Sequence, residues 1–146
     1  MNTDDEGRLI EKLQKIEMLF ARSPYPGEQA AAESAADRIR QRIRQLEKAE
    51  PTIEFRFSLP DTWSKALFIA LLRRYNLKPY RYRGQRRTTV MVKVTASFVN
   101  EALWPEFQEL NATLRAHLDS VTSNIIKRAI HANDAEVEER TEQETI

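Results

Sequence analysis

Residues that build reactive or metal-binding centres are scarce in this 146-residue sequence. It has no cysteine, which excludes disulfides, thiolate metal ligands and a cysteine nucleophile. Its two histidines, His117 and His131, are about four helical turns apart and cannot form one two-histidine metal face. Its three glycines are too few for a glycine-rich phosphate-binding loop. We therefore expect a protein that is not an enzyme and that holds no metal or cofactor.

Long hydrophobic runs are also missing. The longest apolar stretch, residues 66–72, is far shorter than the ~20 residues that a membrane-spanning helix requires. The N-terminus contains Asp4, Asp5 and Glu6, whereas a secretory signal peptide begins with basic residues and an apolar run. We therefore expect a cytoplasmic protein that does not enter the membrane.

Acidic residues are absent from one long stretch, residues 62–100. That stretch has nine lysines and arginines and is formally +9, while the whole chain is only +1, so the remainder carries −8. Charge segregation of this kind favours an anionic partner. The candidate nucleic-acid site consists of Arg56 and every basic residue of this stretch except Lys65: Arg56, Arg73, Arg74, Lys78, Arg81, Arg83, Arg86, Arg87 and Lys93.

The order of hydrophobic patterns divides the chain into four parts. Residues 1–7 are acidic and are expected to be disordered. Residues 8–50 predict a helical hairpin, since apolar residues recur at helical spacing on both sides of the turn Ser23–Glu28. Residues 51–131 predict a β-α-β-β-α domain, and residues 132–146 an acidic, disordered tail. The fold class is therefore α+β, with a three-stranded sheet and a long C-terminal helix.

Local signals predict where the helices of this domain begin and end. Asp61 and Asn76 predict the two ends of a helix that is expected to bury Trp63 and Ala66. Ser97 is the expected cap of the C-terminal helical region, part of which we expect to pack on the helical hairpin or on another subunit.

The predicted sheet determines which side chains face solvent. In strand 52–58, Ile53, Phe55 and Phe57 alternate with polar residues, and residues 78–83 and 87–95 form a hairpin around Gly84. We expect Tyr80 and Tyr82 to face the core. The open side then carries Thr89 and Met91 together with the basic residues of the sheet: Arg56, Arg81, Arg83, Arg87 and Lys93. A shift of one residue would instead expose both tyrosines as platforms for base stacking.

These patterns predict a non-catalytic protein that binds RNA or single-stranded nucleic acid through a basic sheet face. The rival hypothesis is a protein-protein adaptor or homo-oligomeric scaffold, in which the arginines pair with the acidic flanks. An apolar stripe from Phe107 to Ala129 supports the rival, because it is longer than a small sheet can cover. RNA and DNA remain alternatives as partners, and so do a homodimer and a protein partner.

Residues 9–39, LIEKLQKIEMLFARSPYPGEQAAAESAADRI, combine an amphipathic helix, a Ser-Pro-x-Pro turn followed by Glu28, and an alanine-rich second helix. This pattern resembles the opening hairpin of bacterial proteins grouped as domain of unknown function 2786. The later order, from Trp63 to Leu118, resembles the β-α-β-β-α region that often follows it. The resemblance implies the architecture above and no established activity.

Overall fold

The computed structural model describes residues 3–21 and 31–142. Helices α1 (Thr3–Ala21) and α2 (Ala31–Ala49) precede strand β1 (Ile53–Ser58), helix α3 (Thr62–Arg74), strand β2 (Thr89–Val94) and helix α4 (Trp104–Ile125). The α+β class agrees with the prediction. Because α1 begins at Thr3, residues 3–7 are helical where disorder was expected. The turn Ser23–Glu28 lies outside the described residues.

Helix α2 supplies the hairpin's contribution to the core. It buries Ala35, Ala36, Ile39 and Ile43, four positions of the apolar face that the sequence predicts. Helix α1 packs against α2 and also against α4. The small alanine side chains let the helix backbones approach closely. The hairpin is therefore part of the same core as the sheet.

Helix α3 begins and ends as predicted but buries a different face. The Asp61 side chain accepts a hydrogen bond from Ser64 N at 2.8 Å, and Asn76 follows the helix with φ 60°, a left-handed conformation. Burial was expected for Trp63 and Ala66, yet both are exposed. Phe68 is buried instead, because the rings of Phe57 and Phe107 lie 4.7 and 5.0 Å from it. Contacts among these aromatic rings favour this orientation of α3 over one that buries the side of the helix carrying Ala66.

The predicted three-stranded sheet is wrong, since the described residues form one antiparallel pair, β1 with β2. The predicted third strand contributes a single bridge, in which Tyr80 and Met91 exchange two backbone hydrogen bonds. The next such pair would join Tyr82 to Thr89, but both donors are used elsewhere. Tyr82 N donates to Gln85 Oε1 at 2.8 Å and Thr89 N donates to Arg86 O at 3.0 Å. The turn therefore ends the ladder after one pair.

The C-terminal helical segment is continuous from Ala96 to Ile130. Thr95, not Ser97, caps it by accepting a hydrogen bond from Phe98 N. A π-helical turn over Val99–Leu103 leads into α4, where Pro105 occupies the first turn. Proline has no amide hydrogen for the helical ladder, so a local π-turn accommodates it there. A second π-helical turn, Ile126–Ile130, ends at His131 with φ 56°, and residues 131–142 have no helix or strand.

Polar side chains join the four helices beneath the sheet. The Glu17 carboxylate on α1, which is fully buried, forms a bidentate ion pair with Arg74 at the end of α3, with distances of 2.7 and 2.8 Å. Tyr75 Oη lies 2.8 Å from Glu17 Oε2 and 2.5 Å from Glu106 Oε1 on α4. Arg40 on α2 donates two hydrogen bonds to the Arg74 carbonyl oxygen. We call Glu17, Arg74, Tyr75 and Glu106 the buried polar network.

Candidate nucleic-acid interface

The two faces of the sheet differ sharply in character. Phe57 and the three valines of β2 lie on the core face, and Phe55 packs against them. Side chains in the alternate positions form the other side, which we call the open face: Glu54, Arg56, Ser58, Thr89, Met91 and Lys93. Arg56, Ser58 and Lys93 are exposed, whereas Thr89 and Met91 are buried. The open face is therefore only partly accessible.

Two tyrosines cover the open face, which corrects the expectation that they point into the core. Tyr80 is paired directly with Met91, and paired residues project their side chains to the same side of a sheet. The hydroxyls of Tyr80 and Tyr82 both donate to Glu54 Oε2 on the far strand, β1. Both side chains therefore extend across β2. Their rings are perpendicular, with centroids 5.6 Å apart, and Tyr82 remains 51% exposed.

Glu54 is a carboxylate on the open face, beside the basic residues Arg56 and Lys93. The hydrogen bonds from Tyr80 and Tyr82 hold the pKa of Glu54 below its usual value, and Lys93 on the neighbouring strand adds to that effect. The same hydrogen bonds raise the pKa of both tyrosine hydroxyls. The carboxylate is thus ionised and both hydroxyls are protonated at neutral pH.

The basic side chains beside the tyrosines lie on the segment of residues 78–88, which we call the basic loop. Gly84 has φ 90° at its tip, a conformation that favours glycine. All five cations of the loop are exposed: Lys78, Arg81, Arg83, Arg86 and Arg87. Within residues 6–17 and 34–142, whose side chains the structure describes, none of the five forms a salt bridge with a carboxylate. Arg81 donates one hydrogen bond, to the Arg87 carbonyl oxygen at 3.1 Å.

The other candidate residues fall into three places. Arg56 and Lys93 lie on the open face, and Arg73 is exposed in the last turn of α3. Arg74 belongs to the buried polar network, where its guanidinium pairs with Glu17. Arg74 therefore has a structural role, while the loop cations lie on the segment whose two tyrosines cover the open face.

The buried polar network escaped prediction from sequence. Burial raises the pKa of Glu106 to about 7, and the nearby Glu17 carboxylate adds to the effect, while Tyr75 and Arg74 oppose it. The pKa of the Tyr75 hydroxyl is also raised, chiefly by burial. A signal was present, because Glu17 is four residues after Leu13 and Glu106 four before Leu110, both on apolar stripes. Glu17, Tyr75 and Glu106 are almost fully buried, so these three side chains are shielded from solvent.

No group of three or more acidic or histidine side chains in the described part of the chain is placed to hold a metal ion. Among the same residues, no helix is both long and apolar enough to cross a membrane. Comparisons with protein-family models, curated proteins and solved structures find no match for this chain. The resemblance to domain of unknown function 2786 therefore stays a prediction.

Proposed function

We propose that the protein binds single-stranded nucleic acid, RNA or DNA, without catalysis, using the basic loop and the open face together. The observation that carries this proposal is the set of five exposed loop cations, none of which is paired with a carboxylate of the described residues. Unpaired arginines bind phosphates bidentately without first breaking an internal ion pair. The Glu17 carboxylate does not compete for these cations, because Arg74 already occupies both of its oxygens.

The tyrosines favour a single strand over a duplex. A half-exposed ring such as that of Tyr82 offers a flat apolar surface on which a base can stack. Bases in a duplex are already stacked on each other, so a ring of this kind selects unpaired nucleotides. A single strand presents both phosphates and unpaired bases. The basic loop suits the phosphates, and the aromatic platform suits the bases.

The decisive experiment replaces Arg81, Arg83, Arg86 and Arg87 together by alanine. We expect most of the affinity for single-stranded oligonucleotides to disappear, because these side chains bind the phosphates. The slope of log affinity against log salt should fall in magnitude by up to about 3, at roughly 0.7 for each phosphate that is no longer neutralised. Melting temperature should change little, since all four side chains are exposed.

A matched control removes four exposed cations from other surfaces: Arg42, Arg44, Lys48 and Arg128. It makes the same change in net charge while leaving the basic loop intact. Equal reductions of affinity in the two variants would contradict the proposed site and indicate a general charge effect. Wild-type protein that binds neither RNA nor DNA oligonucleotides at low salt would overturn the proposed function.

A second candidate function is a homo-oligomeric scaffold. It is favoured by the end of α4, where Ile125 is 54% exposed although it continues the apolar stripe from Phe107. A second copy of this chain suits that surface, because the acidic tail of one copy complements the basic loop of another. The scaffold function requires a dimer, so the mass measured by sedimentation equilibrium distinguishes it from the nucleic-acid-binding function.

A further inference from the structure

A carboxylate is an unexpected group on a surface that binds nucleic acid. Glu54 is ionised and exposed, and it lies on β1 beside Lys93 of β2, on the far side of β2 from the basic loop. It repels phosphate, so the backbone of a bound strand must pass over the arginines and leave Glu54 to a base. The two tyrosine hydroxyls point at Glu54, which brings the aromatic platform and the carboxylate together.

The hydrogen bonds at Glu54 leave one oxygen available. Both tyrosine hydroxyls donate to Oε2, and Oε1 receives no hydrogen bond from the side chains that the structure describes, those of residues 6–17 and 34–142. A carboxylate has about four lone-pair sites and donates nothing while it is ionised. Oε1 therefore selects a partner that carries N–H groups, and the tyrosines fix where that oxygen points.

The four bases differ in what they present to such an acceptor. Guanine has an imino N–H and an amino group side by side on its Watson–Crick edge, and cytosine and adenine each have an amino group. Uracil and thymine have one imino N–H between two carbonyl oxygens, which a carboxylate repels. We infer that Glu54 is the base-reading residue of this surface and that it selects bases with an amino group, guanine first, over uracil and thymine.

This inference rests on the proposed function, and its test separates the two. Fluorescence anisotropy would compare labelled oligouridine with the same strand carrying one central guanosine, with deoxy versions as a second arm. The wild type should bind the guanosine strand about tenfold more tightly, as for one good carboxylate-base contact. Preference for guanosine only in the RNA strands would assign the ligand as RNA, and preference in both would include DNA.

Glu54→Gln tests the carboxylate directly, because it keeps the shape of the side chain and removes its charge. The preference for guanosine should largely disappear, while the affinity for oligouridine rises as phosphate repulsion is removed. Glu47→Gln on α2 is the control, an exposed glutamate with the same charge change, and it should leave the ratio of affinities unchanged. Melting curves of both variants should match the wild type.

The outcomes are distinguishable. Tight binding of every strand with equal affinity would overturn the reading role of Glu54 while the proposed function stands. A preference that survives Glu54→Gln would also overturn it, because another group would then read the base. Failure of all strands to bind would overturn the proposed function and this inference with it.

Discussion

At the scale of single residues, the position of one proton determines the chemistry of the buried polar network. Tyr75 Oη lies within hydrogen-bonding distance of Glu17 and of Glu106, yet it has one proton to donate. Arg74 already holds the Glu17 carboxylate in a bidentate ion pair, so the hydroxyl can donate to Glu106 without leaving the Glu17 charge uncompensated. Burial and the nearby Glu17 charge outweigh that hydrogen bond and raise the pKa of Glu106 to about 7, so its carboxyl group is protonated below that pH.

That protonation makes stability depend on pH. The pKa of Glu106 is about 7 in the folded protein, against 4.5 for an ordinary glutamate, so the folded state binds more protons between those values. Its contribution is complete below pH 4.5 and is lost as pH rises to about 7 and beyond, by up to about 3 kcal/mol. Urea unfolding of wild type and Glu106→Gln across pH 4 to pH 8 should show a decrease in wild type that the variant lacks.

Glutamine serves as the test because it is neutral at every pH and its amide oxygen can still accept from Tyr75. The surrounding charged groups, Glu17 and Arg74, are unchanged, so the difference between the two curves isolates Glu106. Glu101→Gln, at an exposed position of the same helical segment, should give a curve parallel to that of the wild type. Parallel curves for wild type and Glu106→Gln would mean that Glu106 is ionised in the folded protein.

Side-chain alternation alone cannot place Tyr80 and Tyr82. Both tyrosines alternate with arginines, so the sequence permits either set to face the core, and a shift of one residue exchanges them. The turn decides, because Gln85 takes the amide hydrogen of Tyr82 and only Tyr80 pairs with β2. The exposure of the loop arginines was easier to predict, because a charged side chain on a turn needs no partner to remain in solvent, whereas Arg74 was expected to be exposed and pairs with Glu17 instead.

At the scale of elements, local signals were reliable where one side chain determines the outcome. Asp61 predicts the start of α3 and Asn76 its end, because each satisfies a backbone requirement within a few residues. The prediction of a third strand is wrong because strand pairing depends on the acceptors of two backbone N–H groups, those of Tyr82 and Thr89. Both donate within the turn instead of across the strands. The prediction of the buried face of α3 is wrong because that face is determined by ring contacts with Phe57 and Phe107, which are far apart from each other in sequence.

Helix α4 is longer than the surface that the rest of the described chain packs against it. Phe107 and Leu110 are buried, Leu114, Leu118 and Val121 are half-buried, and Ile125 is exposed, so packing weakens toward the C-terminal end. Lys12 of α1 reaches Glu109 at 3.6 Å, which places α1 against the first half of the helix. The predicted contact with the hairpin is thereby confirmed, and the far end of the stripe is the surface on which the scaffold hypothesis depends.

The scaffold hypothesis predicts a dimer that Ile125→Glu dissociates. A charge placed on an apolar contact reduces hydrophobic burial and incurs the cost of desolvation, so association should weaken by more than tenfold. Ser120→Glu is the control, because Ser120 is exposed and lies off the stripe. Sedimentation equilibrium of wild type and both variants measures this, and a monomeric wild type at high protein concentration would remove the hypothesis.

At the scale of the whole molecule, charge is divided between the basic stretch and the acidic ends. Residues 132–146 carry six acidic residues and one arginine, a net −5 of the −8 that lies outside residues 62–100. In the described part of this tail, Arg140 pairs with Glu138, and Asp134 has a lowered pKa through Ser123 and the nearby Lys127. Neither contact reaches the basic loop, so under the proposed function we expect the tail to act on a nucleic acid through its electrostatic field.

Ending the chain at His131 should therefore strengthen binding without changing the site. The net charge rises from +1 to +6, and affinity for an oligonucleotide should increase by about one order of magnitude or less at low ionic strength. The gain should shrink as salt rises, because charges are screened beyond about 10 Å at 0.1 M. Residues 132–142 are exposed and lack regular structure, so the melting temperature should be preserved.

Affinity and mass measured on the same truncated protein separate a field effect from a contact between copies. If the tail acts through its field, wild type and truncated protein are both monomers and differ only in the salt-dependent affinity. If the tail of one copy covers the basic loop of another, truncation converts a dimer to a monomer, and the gain in affinity depends on protein concentration. An unchanged affinity at low salt would contradict both, because removing five negative charges would then leave the potential at the basic loop unaltered.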